Sequence, residues 1–160
     1  MSLPETSTPH QFLAQLVGGW TGRTLTWLEP EGVPGQAATQ GSIQLLLGGR
    51  FALYLYQTSV DAQAQHGLFM FGYNTTLDRW EGSWIDSFHN NTAIMFCIGQ
   101  QIGNGFAVVG SHPDPTGGPD WAWRTEVKLL DHDHLSIIAY NISPEGAEAK
   151  AIETQLTRTR

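Results

Sequence analysis

The residues best suited to chemistry in this 160-residue sequence lie in the segment Trp80-x-Gly82-x-Trp84-x-Asp86. In an extended strand, alternate side chains point to the same side, so the two indoles and the carboxylate share one face. Charged side chains occupy the opposite face, which predicts that the tryptophan face points inward. A buried carboxylate needs partners and tends to have a raised pKa. Asp86 could cap the following turn, orient a ligand or act as a general base.

A second candidate is His66, which begins another alternating segment. His66 and Met70 share one face of that segment, and Phe69 and Phe71 share the other. Both faces are apolar, so the alternation does not decide which of them is internal. No carboxylate or nucleophile lies at a spacing that would complete a catalytic triad with His66. His66 could therefore be a rim or core histidine, or a polar contact for a ligand.

Two further patterns favour structural roles. The run from Asp131 to His134 contains two histidines at alternate positions, which could share a metal ion. It occupies a short connection between two amphipathic segments, and no third ligand follows at a standard spacing, so we predict a solvated turn and no metal site. Cys97 is the only cysteine and lies in an apolar run, which predicts a buried, inert thiol and no intrachain disulfide.

The composition indicates one β-rich domain over residues 1–160. Charged residues make up 14 %, against about a quarter in an average domain, and 18 glycines are spread along the chain. This mixture favours strands and tight turns. The formal net charge is −7, and the eight Lys and Arg residues are scattered. We therefore predict no nucleic-acid partner and no binding to an acidic membrane surface.

The N-terminus has neither a basic start nor an apolar run, so we predict no signal peptide. The uncharged stretch from Ser87 to Pro113 is interrupted by polar pairs that a lipid-exposed helix would not carry. A cytoplasmic location is the resulting prediction.

The elements that must position these residues are one helix and about ten strands. Thr8-Pro9 can begin a helix over 8–18, with Phe12, Leu13 and Leu16 on one face, before Gly18-Gly19 ends it. The predicted strands span 20–29, 39–47, 51–60, 66–73, 79–86, 92–98, 106–111, 121–130, 135–142 and 147–159.

These strands follow one another through short turns and so predict a meander. An open meander this wide would expose long edges, and closure removes them. We therefore predict an all-β fold: a closed antiparallel up-and-down barrel over 19–160, preceded by the helix. The alternative architecture is a two-sheet sandwich.

Several motifs also resemble a known family. The segment from His10 to Gly22 reads H-Q-F-L-A-Q-L-V-G-G-W-T-G, and Leu47-Gly48-Gly49-Arg50-Phe51, Gly72-Tyr73-Asn74 and Trp84-Ile85-Asp86-Ser87 follow before the closing segment from Pro144 to Arg158. In this order they resemble a bacterial family of unknown function whose members look like calycin barrels, relatives in architecture of lipocalins, fatty-acid-binding proteins and nitrobindins. The resemblance implies a roughly ten-stranded barrel with an internal cavity and implies no activity.

Nitrobindin-like barrels bind heme through a histidine near the C-terminal strand. The matching stretch from Glu148 to Arg160 contains no histidine, so this role does not carry over. Heme would need another ligand, such as His66. We therefore predict no cofactor.

The sequence thus predicts a barrel that holds a small hydrophobic molecule in its cavity, with no reaction assigned. Two alternatives stay open: a cofactor-free isomerase or cyclase acting on a hydrophobic substrate, and a ligand-free interaction module that associates with itself. A possible homodimer is also compatible with the ligand-binding function. The side chains expected to line the cavity or contact the ligand are Tyr54, His66, Met70, Trp84, Asp86, Phe96 and Trp123.

Overall fold

A computed structural model describes residues 7–160. Residues 1–6 lie outside the described residues. They include the start of the predicted domain and part of the segment in which we predict no signal peptide. Over the described range, one short helix, α1 (Pro9–Gln15), precedes ten strands. The strands are β1 (Gly18–Thr26), β2 (Gly35–Leu46), β3 (Phe51–Val60), β4 (Gln63–Asn74), β5 (Arg79–Asp86), β6 (Met95–Ile102), β7 (Gly105–His112), β8 (Trp121–Asp131), β9 (His134–Ile142) and β10 (Glu148–Arg158).

The strands form a closed barrel. Each strand pairs antiparallel with its neighbours in sequence, and β1 also pairs with β10, from Trp20 opposite Arg158 to Thr26 opposite Ile152. Among the strands of residues 7–160, closure leaves no unpaired edge that another chain could extend. The predicted fold class, an all-β up-and-down barrel with a short N-terminal helix, is confirmed.

Helix α1 begins as the sequence predicts. The Thr8 hydroxyl accepts a hydrogen bond from the backbone N–H of Gln11, the Gln11 side chain accepts one from the backbone N–H of Thr8, and Pro9 occupies the first turn. The helix ends at Gln15, three residues earlier than predicted, because Gly18 already belongs to β1.

One end of the barrel interior is packed solid beneath α1. Phe12 of the helix meets Trp80 and Phe106 edge-on, with ring centroids 6.0 and 6.3 Å apart, and those two rings stack on each other at 4.3 Å. Phe71 extends the cluster, 5.1 Å from Phe106. Burying each such side chain contributes about 1.5–3 kcal/mol, so this half supplies much of the core.

Trp20, which follows Gly18-Gly19, joins the helix to the barrel. Its ring is fully buried, and its Nε1–H donates to the carbonyl oxygen of Leu16 at 2.9 Å. The guanidinium of Arg158 lies 4.3 Å above the ring, an arrangement that permits a cation–π contact.

Glycine is required where the strands approach most closely. A Cβ at Gly22 would lie 1.9 Å from the carbonyl oxygen of Gln155, and one at Gly99 would lie 1.8 Å from that of Ala107. These distances exclude any side chain at either position. Glycine at both positions therefore lets the neighbouring strands approach closely. Residues 7–160 contain no helix with the length and apolar character needed to cross a membrane.

Candidate functional site

The candidate site is a cavity inside the half of the barrel that α1 does not fill. Its volume, counted as the space open to the centres of water molecules, is about 60 Å³. The lining is mostly aromatic and aliphatic, with threonine hydroxyls and one amide. The lining residues are Thr24, Thr26, Tyr54, Tyr56, Thr58, Gln65, Phe69, Trp84, Trp123, Thr125, Ile137, Ala139, Ile152 and Thr154.

The size of the cavity limits its ligand to a small molecule. Its volume of about 60 Å³ exceeds the roughly 10–15 Å³ that one buried water needs. It is smaller than an engineered apolar cavity of about 150 Å³ that binds benzene, so a ring-sized ligand must displace lining side chains or extend toward the barrel mouth. A long lipid chain does not fit the enclosed space.

Asp86 stands behind the cavity wall at the end of β5. Its side chain is fully buried, and Oδ1 accepts hydrogen bonds from the backbone N–H groups of Phe88 and His89, both at 2.7 Å. The carboxylate thus caps the turn after β5, which is one of the three roles that the sequence left open.

The other carboxylate oxygen of Asp86 orients two lining residues. Oδ2 accepts from the Tyr56 hydroxyl at 2.5 Å and from Gln65 Nε2 at 2.7 Å. The Tyr56 oxygen in turn accepts from Trp84 Nε1 at 2.9 Å. One buried charge therefore fixes the amide of Gln65, the phenol of Tyr56 and, through the phenol, the indole of Trp84.

The ionisation of these groups follows from their contacts. Burial raises the pKa of Asp86, but hydrogen bonds from His89 and Tyr56 outweigh it and hold the pKa well below its ordinary value. The expectation of a raised pKa is therefore wrong, because it left out these donors. Burial and the Asp86 charge raise the pKa of Tyr56 well above its ordinary value, so the phenol stays neutral.

Four of the seven predicted site residues lie at or next to the cavity. Tyr54, Trp84 and Trp123 line it, and the rings of Trp84 and Trp123 stack with centroids 5.2 Å apart. Asp86 reaches it only through Tyr56 and Gln65.

The other three, His66, Met70 and Phe96, lie on the outside of the barrel, which corrects the expectation that they face the cavity. Met70 is 38 % and Phe96 is 56 % exposed. Strand β4 turns Gln65 and Phe69 inward, which places His66 and Met70 outward by alternation. Strand β6 turns Met95 and Cys97 inward, so Phe96 between them points outward.

Most of the lining residues were missed, and three of the missed residues in and beside the site show why. Tyr56 shares the inward face of β3 with Tyr54, so alternation alone could have found it. Gln65 was missed because β4 begins three residues earlier than predicted. His89, whose ring lies 5.6 Å from that of Trp84, belongs to the turn after β5, where no sequence pattern indicates which side chain folds inward.

The remaining candidates are structural. Asp131 Oδ1 accepts from the backbone N–H of Asp133 in the predicted turn between β8 and β9. No group of three or more His, Cys, Asp or Glu side chains within residues 7–160 is arranged to hold a metal ion. Cys97 is buried, as predicted, and burial raises the pKa of its thiol to about 11.

Fold and cavity together define a class, the closed antiparallel ten-stranded barrels with an internal pocket. The chain belongs to the family described as "Protein of unknown function (DUF1579)", whose model matches residues 5–158. This agrees with the resemblance to a family of unknown function. No curated protein matches the chain.

Two solved structures share the fold. Rv2717c from M. tuberculosis is 18 % identical, with a TM-score of 0.62 over 97 % of this chain and 100 % of that one. The S-type phycobiliprotein lyase CPES from Guillardia theta is 11 % identical, with a TM-score of 0.65 over 98 % of this chain and 95 % of that one. At these identities the similarity concerns the fold alone.

Proposed function

We propose that this protein binds a small, ring-sized apolar molecule inside the barrel. The observation that carries the proposal is the cavity itself: one half of the lumen is packed with side chains, and the other is left open between Tyr54, Trp84 and Trp123. An apolar pocket with a few fixed polar groups is the usual form of a small-molecule site. Asp86 is already bonded by four donor groups and is not placed to take a proton, which favours binding over catalysis.

Filling the cavity tests the proposal, with indole as the probe. Ala139 lines the cavity, and Ala139→Leu adds three carbon atoms to a space of about 60 Å³. We expect ligand-detected NMR to show indole binding to the unaltered protein and at least a tenfold loss of affinity in the variant. Native mass spectrometry of freshly purified protein then shows whether a natural ligand is carried along.

The matched control is Ala64→Leu, the same change at an exposed position of β4. It should leave indole affinity unchanged. Equal affinity in Ala139→Leu and the unaltered protein would place the ligand outside the barrel. Absence of both indole binding and a co-purified ligand would contradict the proposed function.

A second role, self-association, is favoured by the outside of the barrel. Met70, Ser83 and Phe96 form one outward row across β4–β6. Leu55, Leu68 and Ile85 form the next row across β3–β5. We refer to these two rows as the outer apolar face. A chain of net charge −7 repels its copies least where the surface is uncharged, so we propose that two copies meet on this face. Sedimentation velocity over a concentration series tests this association.

A further inference from the structure

The buried amide of Gln65 leaves one hydrogen-bonding atom unused. Gln65 is 3 % exposed and lines the cavity. Its Nε2 donates to Asp86 at 2.7 Å, which fixes the amide orientation because the reverse would set an oxygen against the carboxylate. The carbonyl Oε1 is buried and has no hydrogen-bond partner among the described residues. A buried acceptor without a partner costs free energy, and a ligand that donates to it removes that cost.

Four threonine hydroxyls on adjacent strands form a chain whose direction can be deduced. Thr58 Oγ1 donates to the carbonyl oxygen of Ala38 at 3.0 Å, and Thr39 Oγ1 donates to Thr58 at 3.0 Å. Each hydroxyl has one proton, so Thr24 must donate to Thr39, 2.6 Å away, and Thr154 must donate to Thr24, 2.8 Å away. The proton of Thr154 is therefore used within the chain, so toward a ligand in the cavity that Thr154 lines, its oxygen can only accept.

No fixed positive group balances these acceptors. Among the described residues that line the cavity, none is lysine or arginine, and the Asp86 carboxylate lies directly behind Gln65 and Tyr56. The other lining hydroxyls, those of Thr26, Thr125 and Tyr54, can rotate to donate or accept, so they do not discriminate between ligands. The groups with fixed roles decide the preference, and all of them can only accept from a ligand: Gln65 Oε1, Thr154 and the lining residues Thr24, Thr58 and Tyr56, whose protons are already donated.

From this geometry we infer that the ligand is an aromatic molecule carrying an N–H or O–H donor, held by Gln65 Oε1 with Thr154 Oγ1 as a second acceptor, and that aromatic carboxylates are excluded. This inference rests on the proposed function and specifies the chemistry of its ligand.

Three probes of similar size test the inference: indole, benzothiophene and benzoate. Benzothiophene replaces the N–H of indole by sulfur and has no donor. We expect calorimetry to give about tenfold tighter binding of indole than of benzothiophene, a difference of about 1.4 kcal/mol, and no detectable binding of benzoate. In Gln65→Met, indole should bind as weakly as benzothiophene, and benzothiophene should be unaffected.

Gln57→Met, on the exposed face of β3, is the matched control and should retain the tenfold preference. If Gln65→Met does not fold, Thr154→Val, which keeps the side-chain shape, should reduce the preference at least threefold. Equal binding of indole and benzothiophene to the unaltered protein, or benzoate binding as tight as indole, would overturn the inference and leave the proposed function standing. If none of the probes binds and no ligand co-purifies, the proposed function itself fails.

Discussion

A single carboxylate organises the site at the residue scale. Both oxygens of Asp86 are occupied, one by the backbone of the following turn and the other by Tyr56 and Gln65. Hydrogen bonds to a charged acceptor are stronger than neutral ones, and a buried charged acceptor without hydrogen bonds costs folding free energy. The charge therefore serves to position neighbouring side chains.

Replacing Asp86 by Asn should weaken the fold and change its response to acid. Asparagine has one accepting oxygen and cannot serve both the turn N–H groups and the Tyr56–Gln65 pair, because its NH2 would face one of these sets of donors. We therefore expect a loss of about 1–3 kcal/mol in the free energy of unfolding at pH 7. A carboxyl with a lowered pKa contributes stability above its unfolded pKa of about 3.9 and loses it as the pH falls toward its folded value. Urea unfolding between pH 2 and 7 should therefore show a shallower acid decline in the variant.

Asp61→Asn, in the exposed turn between β3 and β4, is the control and should change stability at pH 7 by less than about 0.5 kcal/mol. An Asp86→Asn variant with the stability and acid profile of the unaltered protein would show that the carboxylate does not anchor the site.

Alternation explains which residue predictions held. The charged outer face of β5 correctly indicated that Trp84 and Asp86 point inward. The same rule argues against placing Phe96 in the cavity, because Cys97 was predicted to be buried and adjacent residues of a strand face opposite sides. Applied to β6 as a whole, the pattern would have placed Phe96 outside without any structure.

At the scale of elements, α1 packs one half of the barrel and leaves the cavity of the other half open. Phe12 packs into the cluster around Trp80 and Phe106, and none of these three rings lines the cavity. We therefore expect changes in the packed half to alter stability without altering the proposed binding in the cavity.

Phe12→Ala should separate the two properties. Removing a buried ring costs about 3–5 kcal/mol, which urea unfolding would measure, whereas indole affinity of the folded variant should stay within twofold of the original. Val17→Ala, at an exposed position after the helix, should change stability little. A parallel loss of indole affinity in Phe12→Ala would show that the two halves are coupled.

Strand β4 marks the limit of prediction for a single element. Both of its faces are apolar, so its composition did not show which face points into the barrel. Its orientation follows from register: Phe69 lies opposite Trp84 of β5, and paired residues share a face. Register between strands depends on the lengths of the turns and on side-chain packing, which the pattern of one strand does not contain.

At the scale of the whole molecule, the closure of the barrel could be predicted from the sequence, but the empty volume of its interior could not. Ten consecutive strands without protected edges indicate a barrel. How much of the interior stays empty depends on how far α1 enters and on the positions of rings such as Phe12 and Trp80. These are packing outcomes that the sequence pattern does not determine.

Self-association is a prediction at the same scale. If two copies meet on the outer apolar face, the unaltered protein should sediment as a dimer, and Phe96→Lys should shift it to monomer by placing a charge within that face. Thr21→Lys, an equivalent change at an exposed position of β1, should leave the dimer intact. An unaltered protein that stays monomeric at several hundred micromolar would exclude the association.

The hydroxyl chain from Thr154 to Ala38 has a consequence for how this binding site can diversify. The directions of its four hydrogen bonds depend on one another. The last acceptor in the chain is the peptide carbonyl of Ala38, which no side-chain substitution at position 38 removes. The direction of the chain depends on Thr58. Without the Thr58 hydroxyl, the hydrogen bonds among the three remaining hydroxyls can reverse direction together, and Thr154 would then donate to a ligand instead of accepting from it. Thr58→Val, on β3, would thereby turn Thr154 from an acceptor into a donor and leave the shape of the cavity nearly unchanged, while Gln65 would still accept.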